Sequence, residues 1–183
     1  MKAPVATRPP FTDPVLASLF ERRVVLVHGE LTTERASEVA AALLTLDALG
    51  DEHVELRLQS PAGSWEAAGV LVDVIDVLGV PTHTVALGVV GGGAVAVFAA
   101  GTLRLMAPHA QLHLRPPDAR ASGRPADLTR AVAAQTDLQA EFLRLIAERT
   151  RRAVADVEAQ WAAGGFLDAL SAIAHGYADA LCV

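Results

Sequence analysis

The sequence predicts an α/β domain with a mainly parallel sheet covered by helices. Two observations carry this. Apolar runs of strand length alternate with helix-period segments along the chain. A glycine-rich turn, Gly88-Val89-Val90-Gly91-Gly92-Gly93, joins one such strand directly to a helix of small residues.

The elements follow in order. Residues 1–14 hold four prolines with Lys2 and Arg8 and no apolar run behind them, so they read as a mobile arm and not a signal peptide. Residues 15–183 read as one domain. Residues 23–28 form a buried strand ended by Gly29. Thr33 is placed to cap a helix over 34–49, with Ala40, Leu43, Leu44 and Leu46 apolar and Gly50 as its stop. Val54-Glu55-Leu56-Arg57-Leu58-Gln59 alternates, as a strand with one buried face does. Ser60-Pro61-Ala62-Gly63 is a turn. The helix over 65–78 presents Val70, Leu71, Val74, Ile75 and Leu78 on one face. The strand 82–87, the glycine turn and the helix 94–100 come next, then short strands at 103–106 and 111–114. Residues 116–125 are polar and rich in Pro, Gly and Arg, hence a loop. A long helix over 126–150 carries Leu138, Phe142, Leu145 and Ile146 on one stripe, expected to pack on a symmetry mate. A helix over 152–162 ends at Gly164-Gly165, and residues 166–174 read as a last helical turn or two stopped by Gly176.

Composition bounds the function. The chain has 183 residues, enough for a full core, and is 52% hydrophobic. A net charge of -6 argues against nucleic-acid or membrane-surface binding. The single cysteine, Cys182, excludes an internal disulfide and a cysteine-rich zinc site. No metal or cofactor motif is present. The apolar stretch 85–100 is broken by Gly88 and the triple glycine, so it reads as a strand and helix rather than a membrane span. A cytoplasmic location is expected.

The chemistry turns on the glycine turn. Strand, sharp turn and helix form the geometry that lifts a serine nucleophile out of a sheet. Yet no Ser, Thr or Cys lies between Val85 and Ala100.

These pieces together resemble the proteolytic subunit of the ATP-dependent Clp protease, from about Leu16 to Asp179. Ser60-Pro61-Ala62-Gly63-Ser64 is similar to the family's Ser-Pro-Gly-Gly turn, and Asp73 falls where the following helix carries an aspartate. Residues 88–101 resemble, without a gap, the family segment around the nucleophile. Arg104 and Pro108 match its Arg…Leu-Pro, and Phe166, Leu167, Ala169, Ala172, Gly176 and Asp179 match its C-terminal pattern. The resemblance implies the crotonase-like β-α spiral, with a protruding handle over about 116–150, C-terminal helices and stacked heptameric rings around a chamber.

The same resemblance exposes departures. The nucleophilic serine falls on Gly92, the histidine on Arg115 and the aspartate on Gly164. A triad needs a nucleophile, a base and a group to orient the base, and none of these residues supplies one. The two oxyanion amides fall on Gly63 and Gly93; alternatively these glycines only permit tight turns. His113, two residues before Arg115, would share its face but has no hydroxyl to activate. His109 reads as a turn residue, and Ser64 lacks a paired base. Two aromatic positions of the family's ATPase-docking rim fall on Glu55 and Arg57, while Val85, Leu87 and Leu105 keep apolar character there. Charge at that rim raises the cost of burying an apolar loop; the alternative is a solvated face with a cross-strand ion pair. Arg115, Arg120 and Arg124 would make the chamber wall more basic.

Three functions are therefore expected to compete. One is a non-catalytic subunit that builds or regulates a ring, as a homo-oligomer or with active Clp subunits, meeting a Clp ATPase through its neighbours. The second is a crotonase-type enzyme acting on an acyl-CoA thioester, disfavoured by the lack of an acid after the glycines. The third is a serine endopeptidase with an unrecognised nucleophile.

Overall fold

The computed structural model describes residues 13–116 and 125–182, with side chains of the long helix from Thr129 onward. The elements are α1 (Pro14–Glu21), β1 (Val24–His28), α2 (Thr33–Leu49), β2 (Val54–Gln59), α3 (Trp65–Val77), β3 (Thr82–Ala86), β4 (Val89–Gly91), α4 (Ala94–Ala100), β5 (Leu103–Met106), β6 (Gln111–His113), α5 (Pro125–Thr150), α6 (Val154–Ala163), β7 (Phe166–Asp168), α7 (Ala169–Ala174) and β8 (Ala180–Leu181). The main sheet has the order β1-β2-β3-β5-β8 and is parallel throughout. A second sheet, β4-β6-β7, is parallel between β4 and β6 and antiparallel between β6 and β7.

One face of the main sheet builds the core. Val25 and Val27 of β1, Leu56 and Leu58 of β2, Ala86 of β3 and Met106 of β5 are buried there, with α2, α3 and α4 packed over them. All seven residues of α4 are buried, as expected of a helix hydrophobic all round. Thr84, at 0% exposure, donates its hydroxyl to the Phe98 carbonyl at 2.8 Å and so ties β3 to α4. The opposite face is only half covered: Glu55 and Arg57 alternate with the buried residues of β2.

Several boundaries differ from the sequence reading. Helix α2 is capped by Thr32, not Thr33; Thr32 is extended and its hydroxyl accepts from the Arg35 amide at 3.3 Å. Asp13 caps α1, which starts at Pro14; residues 1–12 of the expected arm lie outside the described residues. Part of the glycine turn is itself a strand, β4, since Val89, Val90 and Gly91 pair with β6. Residues 166–174 are not one helical turn: Phe166–Asp168 is β7, and the Asp168 carboxylate then accepts from the Ser171 amide at 2.7 Å to start α7. The two-residue β8 had no sequence signal.

The largest correction concerns α5. Phe142 (6% exposed) and Ile146 (0%) are buried in the protomer's own core, and Leu138 and Leu145 are half-buried against it. Phe142 stacks on Trp65 with centroids 5.0 Å apart and planes at 12°. Phe142 and Ile146 are therefore spent on the protomer's own core, while Leu138 and Leu145 keep a partly exposed edge. The first described turns of the helix do stand clear: residues 129–134 are all exposed, Val132 at 56%. Most of the expected loop, with Arg120 and Arg124, lies outside the described residues.

Candidate functional site

The site is built where the ends of β2, β4, β6 and β7 meet. After β2 the chain makes the turn Ser60–Ser64, held by the Ser60 hydroxyl on the Ala62 carbonyl (2.9 Å) and by the Leu31 amide on the same oxygen (2.9 Å). Ser64 closes it as the N-cap of α3, its hydroxyl accepting from the Ala67 amide at 3.1 Å. The glycine strand lies against this turn. Gly91 donates to Ser60 O and Gly93 to Gly63 O, both at 2.8 Å. A Cβ at Gly91 would sit 2.4 Å from Pro61 O, and one at Gly93 would sit 2.3 Å from Ser64 O. No side chain fits at either.

These contacts correct the expected oxyanion pair. Gly93 spends its amide on the carbonyl of Gly63, so Gly63 and Gly93 face each other as acceptor and donor. They do not present two amides to one substrate oxygen. An oxyanion hole works only if its donors are aimed at the developing charge. In this conformation Gly93 has no donor left for a peptide carbonyl or a thioester.

The three positions to which the resemblance assigns a triad follow β4, follow β6 and precede β7. Gly92, at φ +58°, follows β4, whose Gly91 is in register with His113 of β6. Arg115 lies two residues beyond His113. Gly164 stands alongside: its neighbour Gly165 accepts the Leu114 amide at 2.9 Å, and a Cβ on Gly164 would lie 3.7 Å from Leu114 O. At these positions the chain has a glycine, an arginine and a glycine. Gly92 adopts the left-handed conformation of a nucleophile elbow without a side chain to lift. Gly164 has φ 68° and ψ −169°, a region populated essentially by glycine. The backbone itself thus departs from what an aspartate would adopt.

Neither nearby histidine fills the gap. The His113 ring stacks on Phe166, centroids 4.1 Å apart; burial, then the charge of Arg115, lowers its pKa. His109 lies in the turn before β6. The Ser64 hydroxyl is engaged as a cap, with no histidine among its partners. Among the described residues no group of three or more His, Cys, Asp or Glu could hold a metal ion. No described helix is long and apolar enough to cross a membrane.

The residues of the expected docking face form a cross-strand row on the open side of the main sheet. Arg57 is in register with Val85, Val85 with Leu105, and Leu105 with Ala180. Glu55 and Arg57 form an ion pair along β2, not across strands as expected. Leu87 follows β3, its amide on Leu58 O at 2.8 Å. The sequence reading missed a neighbour of this row. His53 and His83 stack with centroids 4.1 Å apart, and His83 is in register with Glu55. Their association needed the β2–β3 register, which no local signal supplies.

A family model described as Clp protease matches residues 11–183. The chain is 27% identical over 171 residues to the ATP-dependent Clp protease proteolytic subunit 1 of Mycobacterium tuberculosis (strain ATCC 25618 / H37Rv), covering 92% of this chain and 86% of that protein. It is 24% identical over 170 residues to proteolytic subunit 2 of Bacillus licheniformis, covering 91% and 90%. It is 25% identical over 167 residues to proteolytic subunit 2 of Streptomyces coelicolor, covering 89% and 77%.

Proposed function

The chain belongs to the Clp protease family, and from that premise we propose that it is a non-catalytic proteolytic-subunit homologue, a structural or regulatory part of a ring-shaped protease complex. The observation that carries this reading is Gly92. At the turn that should lift a nucleophile, the chain has no hydroxyl or thiol, and none follows through Ala100. Arg115 cannot act as a base while protonated, and Gly164 cannot orient one. The Gly93–Gly63 hydrogen bond supports the same reading, and it weakens the acyl-CoA alternative, which also needs two free amides.

Assembly is the second half of the proposal. Parallel sheets are normally covered on both faces, yet Arg57 and Leu105 on the outer face stay half-exposed beside a buried Val85. Residues 131–134 of α5 are likewise exposed. Both fit a subunit that completes its burial against other subunits, whether copies of itself or active Clp subunits. The ion pair on the open face makes an apolar docking loop a poor fit, so contact with a Clp ATPase is assigned to neighbouring subunits.

The test is native mass, alone and after co-expression with active Clp subunits of the same cell, together with fluorophosphonate labelling. Ring-sized particles without labelling are expected. Covalent labelling of this chain would falsify the non-catalytic reading; a monomer under both conditions would remove the ring role.

A further inference from the structure

A groove of about 370 Å³ runs between α3 and α5, away from the triad positions. Its walls are helix stripes. On α3 they are Glu66, Gly69, Val70 and Asp73; on α5, Leu138, Glu141, Phe142 and Leu145. Both follow the three-and-four spacing of one helix face.

The floor is apolar. Val70, Leu138 and Leu145 are half-buried, with Phe142 and Trp65 stacked beneath them. Gly69 leaves the middle open, since even an added Cβ would only reach ordinary contact with Phe142, at 3.5 Å. The rim is acidic. Glu66, Asp73 and Glu141 are all exposed, and no Lys, Arg or His lines the groove. None of the three carboxylates has a hydrogen-bond or ion-pair partner among the described residues. The next acid along α3, Asp76, by contrast is paired with Arg149 at 2.6 Å. A further sign of incompleteness is Trp65, which lines the groove. It is 0% exposed, and its indole N–H has no hydrogen-bond partner, an unusual state for a buried donor.

The geometry points to this groove as the docking site for a basic amphipathic helix of a partner protein. Two helices flanking an apolar trough seat a third helix by its apolar anchors. Three unpaired carboxylates along the rim select Lys or Arg beside those anchors, because opposite charge steers and registers an interface while like charge is excluded. From Glu66 to Asp73 the groove spans about 10 Å, at 1.5 Å per residue, the length of two helical turns. This inference does not depend on the catalytic state of the chain.

The experiment uses the full chain and a fluorescently labelled amphipathic peptide of about 18 residues, Leu on one face and Lys on the other. A second peptide carries Glu in place of Lys. Binding is read by fluorescence anisotropy at physiological salt. The Lys peptide is expected to bind and the Glu peptide not. The triple variant Glu66→Gln, Asp73→Asn, Glu141→Gln and the groove-filling variant Gly69→Met should each weaken binding by about tenfold or more. A triple with the same change of net charge elsewhere, Glu30→Gln, Glu38→Gln, Glu158→Gln, should leave it within about twofold. Because the three acids are exposed, their neutralisation keeps the test valid should Gly69→Met fail to fold. Equal loss in both triples would mean diffuse attraction and overturn the proposal. So would binding of the Glu peptide, no binding of the Lys peptide, or a fall in native mass on neutralising the groove, which would assign it to a second copy of this chain.

Discussion

At the residue scale, Gly92 and Gly164 do more than lack side chains. Gly92 keeps the positive φ of an elbow, so a serine could be placed there at modest strain. Gly164 could not take an aspartate so easily: φ 68° and ψ −169° lie where non-glycine residues cost about 1–3 kcal/mol. Gly164→Asp is therefore expected to destabilise the fold by that amount in urea denaturation. The combined variant Gly92→Ser, Arg115→His, Gly164→Asp is expected to hydrolyse no fluorogenic peptide, because the orienting acid would be strained and the Gly93 amide is already spent. Turnover above background by the triple variant would show that the site closes only by side-chain loss.

A second residue-scale prediction concerns Arg104. Its guanidinium grips Asp179 through both carboxylate oxygens, at 2.6 and 3.0 Å, and also donates to Arg149 O and Gly176 O. Burial pushes the Asp179 carboxyl up, but the hydrogen bonds and charge of Arg104 outweigh it and hold the pKa below its ordinary value. A depressed acid contributes stability in full above its unfolded pKa of about 3.9 and loses it as pH falls through the lower folded value. Asp179→Asn should flatten the stability profile in that acid window, followed by the thermal midpoint against pH. Arg104→Ala should cost about 1–2 kcal/mol, since it leaves the Arg149 and Gly176 carbonyls without their donor and removes the charged partner of a partly exposed carboxylate.

At the scale of elements, the end of α2 shows how one side chain can substitute for a cap. Gly50 ends the helix, but the donors come from Arg23, before β1. Its guanidinium reaches Leu46 O (2.9 Å), Gly50 O (3.2 Å), Glu52 O (2.7 Å) and His53 O (3.2 Å). It thereby satisfies carbonyls a helix terminus leaves unpaired and fixes the entry of β2. Arg23 itself sits at φ 58°. Arg23→Gly removes that strain along with the donors, so a net loss of about 1–2 kcal/mol in that variant would identify the guanidinium as the capping group. No loss of stability would assign the turn to backbone geometry alone.

The long helix α5 is the element where the expected role and the observed one divide. Its apolar stripe at Phe142 and Ile146 is core, and its exposed start is what remains for assembly. Phe142→Ala should unfold or strongly destabilise the protomer, by about 3–5 kcal/mol. Val132→Asp should leave the thermal midpoint unchanged and reduce the native mass if the projecting turns join copies. The two variants separate folding from assembly on one helix, and intact native mass in Val132→Asp would sink the assembly role of those turns.

For the whole molecule, the open face of the main sheet is the feature that most needs an explanation. It carries a charged pair, an apolar row and the stacked pair His53–His83 within one patch. The pKa of His83 is lowered by burial and then by His53, with Glu55 opposing. A base with a depressed folded pKa contributes its full share above the unfolded value of about 6.5, and stability falls as pH drops below it. Thermal midpoints are thus expected to decline between neutral and mildly acidic pH, and His83→Gln should reduce that slope. An unchanged slope would mean the stacked pair does not govern it.

The sequence by itself determined the alternation of strands and helices from β1 to α4, the glycine turn and the lack of a hydroxyl or thiol from Val85 to Ala100. Those properties live in period-2 and period-3.6 patterns and in residue types, which are local. It also placed Gly92, Arg115 and Gly164 as one degenerate set through family motifs. Only the tertiary structure decided what those positions face. The Gly93 amide is spent on Gly63, and β7 forms where a helix was expected, because both depend on hydrogen bonds to segments tens of residues away. The fate of the α5 stripe was equally undecidable locally. An apolar stripe records that something covers it, and only the packing of Trp65 and α4 shows that for Phe142 and Ile146 the cover is the chain's own core.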